Sequence, residues 1–299
     1  MKENNPIIRQ VFTADPTVLE HQGIVYLYTG HDDPPSGLEQ YTMNDWLCFS
    51  SADLVHWNAH PSPLAATDYT WASGDAFASK IIYHNKRFYF FTAVSHKRIP
   101  GKAIGVATSE SPIGPFRDAK GKALITGDML PVVAEEKSNL DPSVIIDDDG
   151  RGYLFWGHGR CFYTQLSENL LEVEDEIRQV QLPRFQEGAH VYKRGEHYYL
   201  MYGYGSPERV AYAMSDDIHG PWKFAGIVNE LAGNCETNRP ATLDFKGNSY
   251  FFYHNGALPN GGSHRRSVCV DVMYYNDDGT IKKVVTSSEG IEPREEPEK

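Results

Sequence analysis

Three acidic residues, Asp15, Asp141 and Glu187, open equivalent segments of a repeating pattern; an aromatic ring, Phe77, and a cation, Arg239, open two more. The segments read Asp15-Pro-Thr-Val-Leu, Phe77-Ala-Ser-Lys-Ile, Asp141-Pro-Ser-Val-Ile, Glu187-Gly-Ala-His-Val and Arg239-Pro-Ala-Thr-Leu. If the repeats close around an axis, these five first residues face one pocket. Carboxylates a few ångströms apart in a low-dielectric funnel repel, so at least one keeps a proton near neutral pH. A protonated acid beside an ionised carboxylate suits hydrolysis of a glycosidic bond. One group protonates the leaving oxygen while the other activates water or attacks the sugar. For any single acid, a turn cap or an ordinary ion pair with Arg239 is the plainer reading. Three acids in one register favour the chemistry.

The elements that must position these residues repeat with them. Each segment runs through a turn into an aromatic strand: Val25-Tyr-Leu-Tyr, Phe88-Tyr-Phe-Phe, Tyr153-Leu-Phe-Trp, Tyr198-Tyr-Leu-Met and Tyr250-Phe-Phe-Tyr. A second pair of short strands follows each one, and the units start 46 to 64 residues apart. Four short strands per unit, with Gly, Asn and Asp at the turns, predict an all-β fold, a five-bladed β-propeller. Its predicted extent is residues 5–288. The Glu/Pro/Lys composition of residues 289–299 predicts a disordered C-terminal tail. Two positions into each segment stand Thr17, Ser79, Ser143, Ala189 and Ala241, all small, as crowding near an axis demands. Ring closure is expected to pair a segment from one terminus with the blade at the other end. The best helical stretch, residues 168–179, is short. Cys48, Cys161 and Cys269 fall in equivalent strands and read as buried thiols; Cys235 sits in a loop.

Composition narrows the partners. A net charge of -12 without any Lys/Arg-rich run argues against a nucleic-acid backbone or an anionic membrane surface. No apolar run approaches the ~20 residues of a membrane span. The first residues lack the layout of a signal peptide, so the chain as it stands reads as cytoplasmic, or as periplasmic or secreted if it is a mature form. A neutral sugar polymer meets no electrostatic penalty here, and a monomer is expected.

Thr13-Ala-Asp15-Pro, Leu140-Asp141-Pro-Ser-Val-Ile-Ile-Asp-Asp-Asp-Gly and Gln186-Glu187-Gly-Ala-His, in that order, resemble glycoside hydrolase family 43 over residues 5 to about 285. The resemblance implies a five-bladed propeller that cleaves arabinose- and xylose-containing plant polysaccharides with inversion. It implies Asp15 as general base, Glu187 as general acid, and Asp141 as the residue that orients that acid and raises its proton affinity. Among activities it favours α-L-arabinofuranosidase over β-xylosidase or endo-1,4-β-xylanase; a non-catalytic sugar-binding propeller is the reading from another class. Inversion sets an expected gap of roughly 6.5–9.5 Å between the Asp15 and Glu187 carboxyls. Phe77 either lies under the sugar or fills space, and Trp71 either walls the pocket or sits in the core. Arg266, with Arg265 as the alternative, resembles the family's late arginine, whereas Arg239 reads as a structural ion pair. His254 resembles a channel histidine that in some members lies near a calcium ion; a hydrogen bond to the sugar or a satisfied core position are the other readings. No cofactor is required on this reading, and a structural calcium in the central channel is the minority expectation. Asp32, in His31-Asp32-Asp33, lines the pocket or shapes a loop. Residues 34–41 read as a lid or specificity loop.

Overall fold

The computed structural model describes residues 4–292, and nearly all its regular structure is β. Blade I comprises β1 (Thr13–His21), β2 (Ile24–His31), β3 (Asp45–Ser51) and β4 (Asn58–Ala65). Blade II holds β5 (Ala72–Gly74), β6 (Ser79–His84), β7 (Arg87–His96), β8 (Lys102–Ser109) and β9 (Arg117–Asp118), with β5 and β6 both pairing β7. Blade III comprises β10 (Ser143–Ile146), β11 (Gly152–Trp156), β12 (Cys161–Leu166) and β13 (Arg178–Val180). Blade IV comprises β14 (His190–Arg194), β15 (His197–Tyr204), β16 (Arg209–Ser215) and β17 (Lys223–Asn229). Blade V has three strands, β18 (Ala241–Phe245), β19 (Asn248–Asn255) and β20 (Ser267–Met273). Every blade is an antiparallel meander, so neighbouring strands need only short turns. These five sheets make the five-bladed propeller.

The aromatic strands explain the packing. Each second strand buries both faces, one toward each neighbouring blade, which is why Phe, Tyr and Trp dominate it. The result is five apolar clusters, one between each adjacent pair of blades. A fully buried side chain of this size contributes roughly 1.5–3 kcal/mol. Nearer the axis, the small positions stitch blades together. Thr17 Oγ1 accepts the Ile81 N–H at 3.3 Å, and Ser143 Oγ accepts the Val191 N–H at 3.0 Å.

Among the described residues blade V lacks the fourth strand that four-strand periodicity predicts, and the N-terminal segment covers its edge. Ile7 N–H donates to the Val268 carbonyl at 2.9 Å, and the Asn5 side chain imitates a backbone amide. Asn5 Oδ1 accepts from Val270 N–H (2.9 Å), while Nδ2 donates to the Val270 carbonyl (3.1 Å). Ile8 and Ile291 join the apolar cluster between blades I and V, sealing the ring. The expected disordered tail is corrected at its start. Residues 289–291 are tied down, with Asn4 N–H bonded to the Glu289 carbonyl and Ile291 buried; residues 293–299 lie outside the described residues. Residues 168–179 form a turn and the beginning of β13 rather than a helix. All four cysteines are free and buried, three of them in the third strands of blades I, III and V.

Candidate active site

Backbone geometry first turns the acids inward. A bulge between Ala14 and Thr17 breaks the pairing of β1 with β2, and Asp15 within it has φ 50°. Asp141, just before β10, has φ 57°. A non-glycine residue in this left-handed region costs about 1–3 kcal/mol, and such strain collects where a side chain must be aimed. Glu187 avoids that cost because the next residue, Gly188, adopts the positive φ of 71°. Its N–H then donates to Asp141 Oδ2 at 2.6 Å, coupling the blade III and blade IV acids through one bond.

The acids share a cavity of about 400 Å³ with Phe77, Tyr41, Arg266 and His158, within the range of small-ligand pockets. Arg266 is the arginine that faces the carboxylates. Its Nε and Nη2 grip both Asp32 oxygens at 2.8 and 2.9 Å, and Nη1 donates to Asp15 Oδ1 at 3.1 Å. Arg265 points the other way, pairing with Glu39 at 2.9 Å and donating to the Leu38 carbonyl, so it anchors segment 34–41 instead. That segment delivers Tyr41 to the pocket, its ring 5.0 Å from the Arg266 guanidinium. Arg239 reaches across the axis: Nη1 lies 2.7 Å from Asp141 Oδ1, and Nη2 donates to the Pro142 and Ser79 carbonyls.

The electrostatics separate the three acids. Burial, and then the charges of Asp141 and Asp15, push Glu187 up to about 8, against Lys137 and Arg266. Burial also raises Asp141, opposed by Arg239 and reinforced by Asp15. His158 Nε2 stands 3.8 Å from Glu187 Oε2, but burial and Lys137 lower its pKa, so it is no counter-ion at neutral pH. Glu187 therefore carries its proton through the neutral range, while Asp15 keeps a fixed guanidinium partner. One group can give a proton and another can take one, the pairing that general acid–base chemistry needs.

The remaining sequence candidates divide by position. Phe77 lines the cavity, beneath the Lys102 ammonium at 4.6 Å. Asp32 is buried behind Arg266 and fixes it. Trp71 does not line the cavity. Residues 72–74 run beside β7 and carry the indole into the core between blades I and II, where Nε1 donates to Asp118 Oδ2 at 3.0 Å. His254 lies one layer behind Asp15. Its Nδ1 accepts the Asp15 N–H at 3.1 Å, which leaves the proton on Nε2, 3.0 Å from the Thr237 carbonyl. Both ring nitrogens are committed, so His254 does not fit a calcium ligand, and no cluster of three or more His, Cys, Asp or Glu suited to a metal occurs among the described residues. Sequence reasoning reached Tyr41 only as the end of the expected specificity loop, and missed His158 and, above all, Glu208, a further carboxylate of the lining. They lie in connections outside the repeat register, where no periodic signal reaches.

A five-bladed propeller whose central pocket sets a proton-holding Glu187 beside an arginine-bound Asp15 is the arrangement that glycoside hydrolysis uses. The sequence profile of glycosyl hydrolases family 43 matches residues 3–281. An arabinoxylan arabinofuranohydrolase of Bacillus subtilis (strain 168) is 28% identical over 96% of this chain, which spans 65% of that protein's length. A second, from Paenibacillus polymyxa, is 27% identical, and the chain spans 52% of its length. Among solved structures, the α-L-arabinofuranosidase of Clostridium thermocellum ATCC 27405 superposes with a TM-score of 0.80 at 31% identity, covering 94% of this chain and 96% of that one. A β-xylosidase/α-arabinofuranosidase from a compost microbial metagenome shares the fold, with a TM-score of 0.85 at 24% identity and coverage of 95% and 97%. The chain belongs to glycosyl hydrolase family 43.

Proposed function

We propose that this protein hydrolyses arabinose- or xylose-containing oligosaccharides or polysaccharides with inversion at the anomeric carbon, and that α-L-arabinofuranosides are its preferred substrates. The observation that carries this reading is the division of labour in the pocket: Glu187 pushed up to about 8, and Asp15 held by Arg266 at 3.1 Å. Glu187 protonates the glycosidic oxygen as the bond breaks. Asp15 takes a proton from the water that attacks C1 on the opposite face, so the sugar leaves inverted. Asp141, fixed by the Gly188 N–H and Arg239, adds the negative charge that keeps the proton on Glu187. The arabinofuranoside preference rests on the names of the two bacillar relatives and of the 31%-identical structure.

Xylosidase action is the second reading, because a 25%-identical relative in Humicola insolens carries the name xylosidase/arabinosidase. Hydrolysis of para-nitrophenyl α-L-arabinofuranoside and β-D-xylopyranoside, beside arabinoxylan, arabinan and xylan, separates the two. Faster release of arabinose from the aryl glycoside and from arabinoxylan is expected. Faster turnover of the xyloside would reverse the order, and binding without turnover of any of them would make the propeller a sugar-binding module.

A further inference from the structure

The pocket contains a buried carboxyl that the acid–base scheme does not use. Glu208 lies in the turn between β15 and β16, only 4% exposed, yet it lines the cavity with the three acids. The fold makes room for it. A Cβ on Gly203 would come within 2.8 Å of Glu208 Oε2 and 3.3 Å of the Glu187 carbonyl oxygen, so the missing side chain seats Glu208 beside Glu187. Oε2 accepts the Asn238 N–H at 3.0 Å. Among the described residues no side chain bonds the carboxyl, and no cation pairs with it. Oε1 is not enclosed without a partner in the protein, so the cavity is the space left to it. The charged groups that bear on it are Glu187, Asp141 and Asp15, all acidic.

Resting on the glycosidase reading above, we propose that Glu208 is a sugar-binding residue of this pocket: a protonated carboxylic acid, held by Asn238, whose free oxygen donates a hydrogen bond to a hydroxyl of the bound sugar. Burial, and then the charge of Glu187, raise its pKa well above the carboxylate range, which agrees with the geometry. A neutral acid suits a neutral substrate. It can donate a hydrogen bond to a hydroxyl, which an ionised carboxylate cannot, a use of a buried carboxyl with precedent. Pairing a hydroxyl in the pocket also selects strongly against sugars that lack it, since the acid would then be left unpaired.

Glutamine and leucine variants test the assignment. Glu208→Gln keeps an acceptor for Asn238 N–H and a donor for the sugar, so kcat/KM should stay within about threefold of the parent protein and the pH profile should keep its shape. Glu208→Leu keeps the volume but loses the donor; kcat/KM should fall about 10- to 100-fold, chiefly through KM. Thermal melting of both variants separates misfolding from lost binding. Carbon-13 NMR of carboxyl-labelled glutamate should also show a resonance, absent from Glu208→Gln, that stays protonated across the range in which ordinary carboxylates titrate. Equal losses in the two variants, full activity of the leucine variant, or a resonance that titrates like an ordinary carboxylate would each overturn the proposal. The resonance does not depend on turnover, so a parent protein that cleaves no glycoside sinks the glycosidase reading while the protonation of Glu208 is still decided.

Discussion

Glu187→Gln is expected to lower kcat on arabinose-substituted xylo-oligosaccharides by about 10²–10⁴-fold while leaving the fold intact. Glutamine has the same shape and can still form a hydrogen bond with the glycosidic oxygen, but it has no proton to give. The loss should be much smaller on aryl glycosides, whose leaving groups depart with little help. pH dependence carries the same signature. Glu187 acts while protonated and its pKa stands at about 8, so parent activity persists below that pH and declines as pH rises through it. That alkaline decline should be absent from the glutamine variant. Melting temperatures should match or slightly favour the variant, because it removes one member of a crowded set of acids. Steady-state kinetics on both substrate types across pH measures all of this, and full activity on the oligosaccharide would remove Glu187 from its role.

Arg266→Leu should have the largest effect on stability. This guanidinium is the cation between two buried carboxylates, gripping Asp32 with two hydrogen bonds and Asp15 with a third. Leucine would leave both acids buried without it. Removing one partner of a buried ion pair costs about 3–5 kcal/mol, because the remaining charge stays desolvated. Arg266→Lys should recover only part of the loss, since an ammonium cannot form the planar fork that meets both Asp32 oxygens. Catalysis should fall with either change, as Asp15 is no longer aimed. Chemical denaturation of the three proteins gives the comparison. A leucine variant as stable as the parent would show that the arginine is not what makes two buried acids tolerable.

These expectations depend on how the sequence encodes the site, and it does so unevenly. Asp15, Asp141, Glu187, Phe77 and Arg239 were legible because each opens a repeat, and the fold turns repeat position into proximity to the axis. The small residues behind them were legible for the same reason, and Thr17 and Ser143 proved to bond the next blade. Trp71 stands outside that register. Spacing from Phe77 could not reveal that β5 would direct its indole to Asp118. His254 stayed open between a sugar contact, a core position and a place near calcium, because sequence cannot show that a backbone amide and a carbonyl occupy its two nitrogens. Arg266 was preferred to its neighbour Arg265 by resemblance alone, since adjacent side chains on an extended segment face opposite ways and the sequence does not show which faces the pocket. Glu208 gave no signal, since an acid after Ser206-Pro207 reads as an exposed turn. Only the space left by Gly203 turns it inward.

The most direct test of the account is the anomeric configuration of the sugar released in the first turnovers, followed by proton NMR before mutarotation intervenes. Base and acid roles for Asp15 and Glu187 with a water between them predict the anomer opposite to that of the substrate, β-L-arabinofuranose from an α-L-arabinofuranoside. First appearance of the retained anomer would contradict the account, because it would require a covalent sugar–enzyme intermediate in place of the water that Asp15 is proposed to activate.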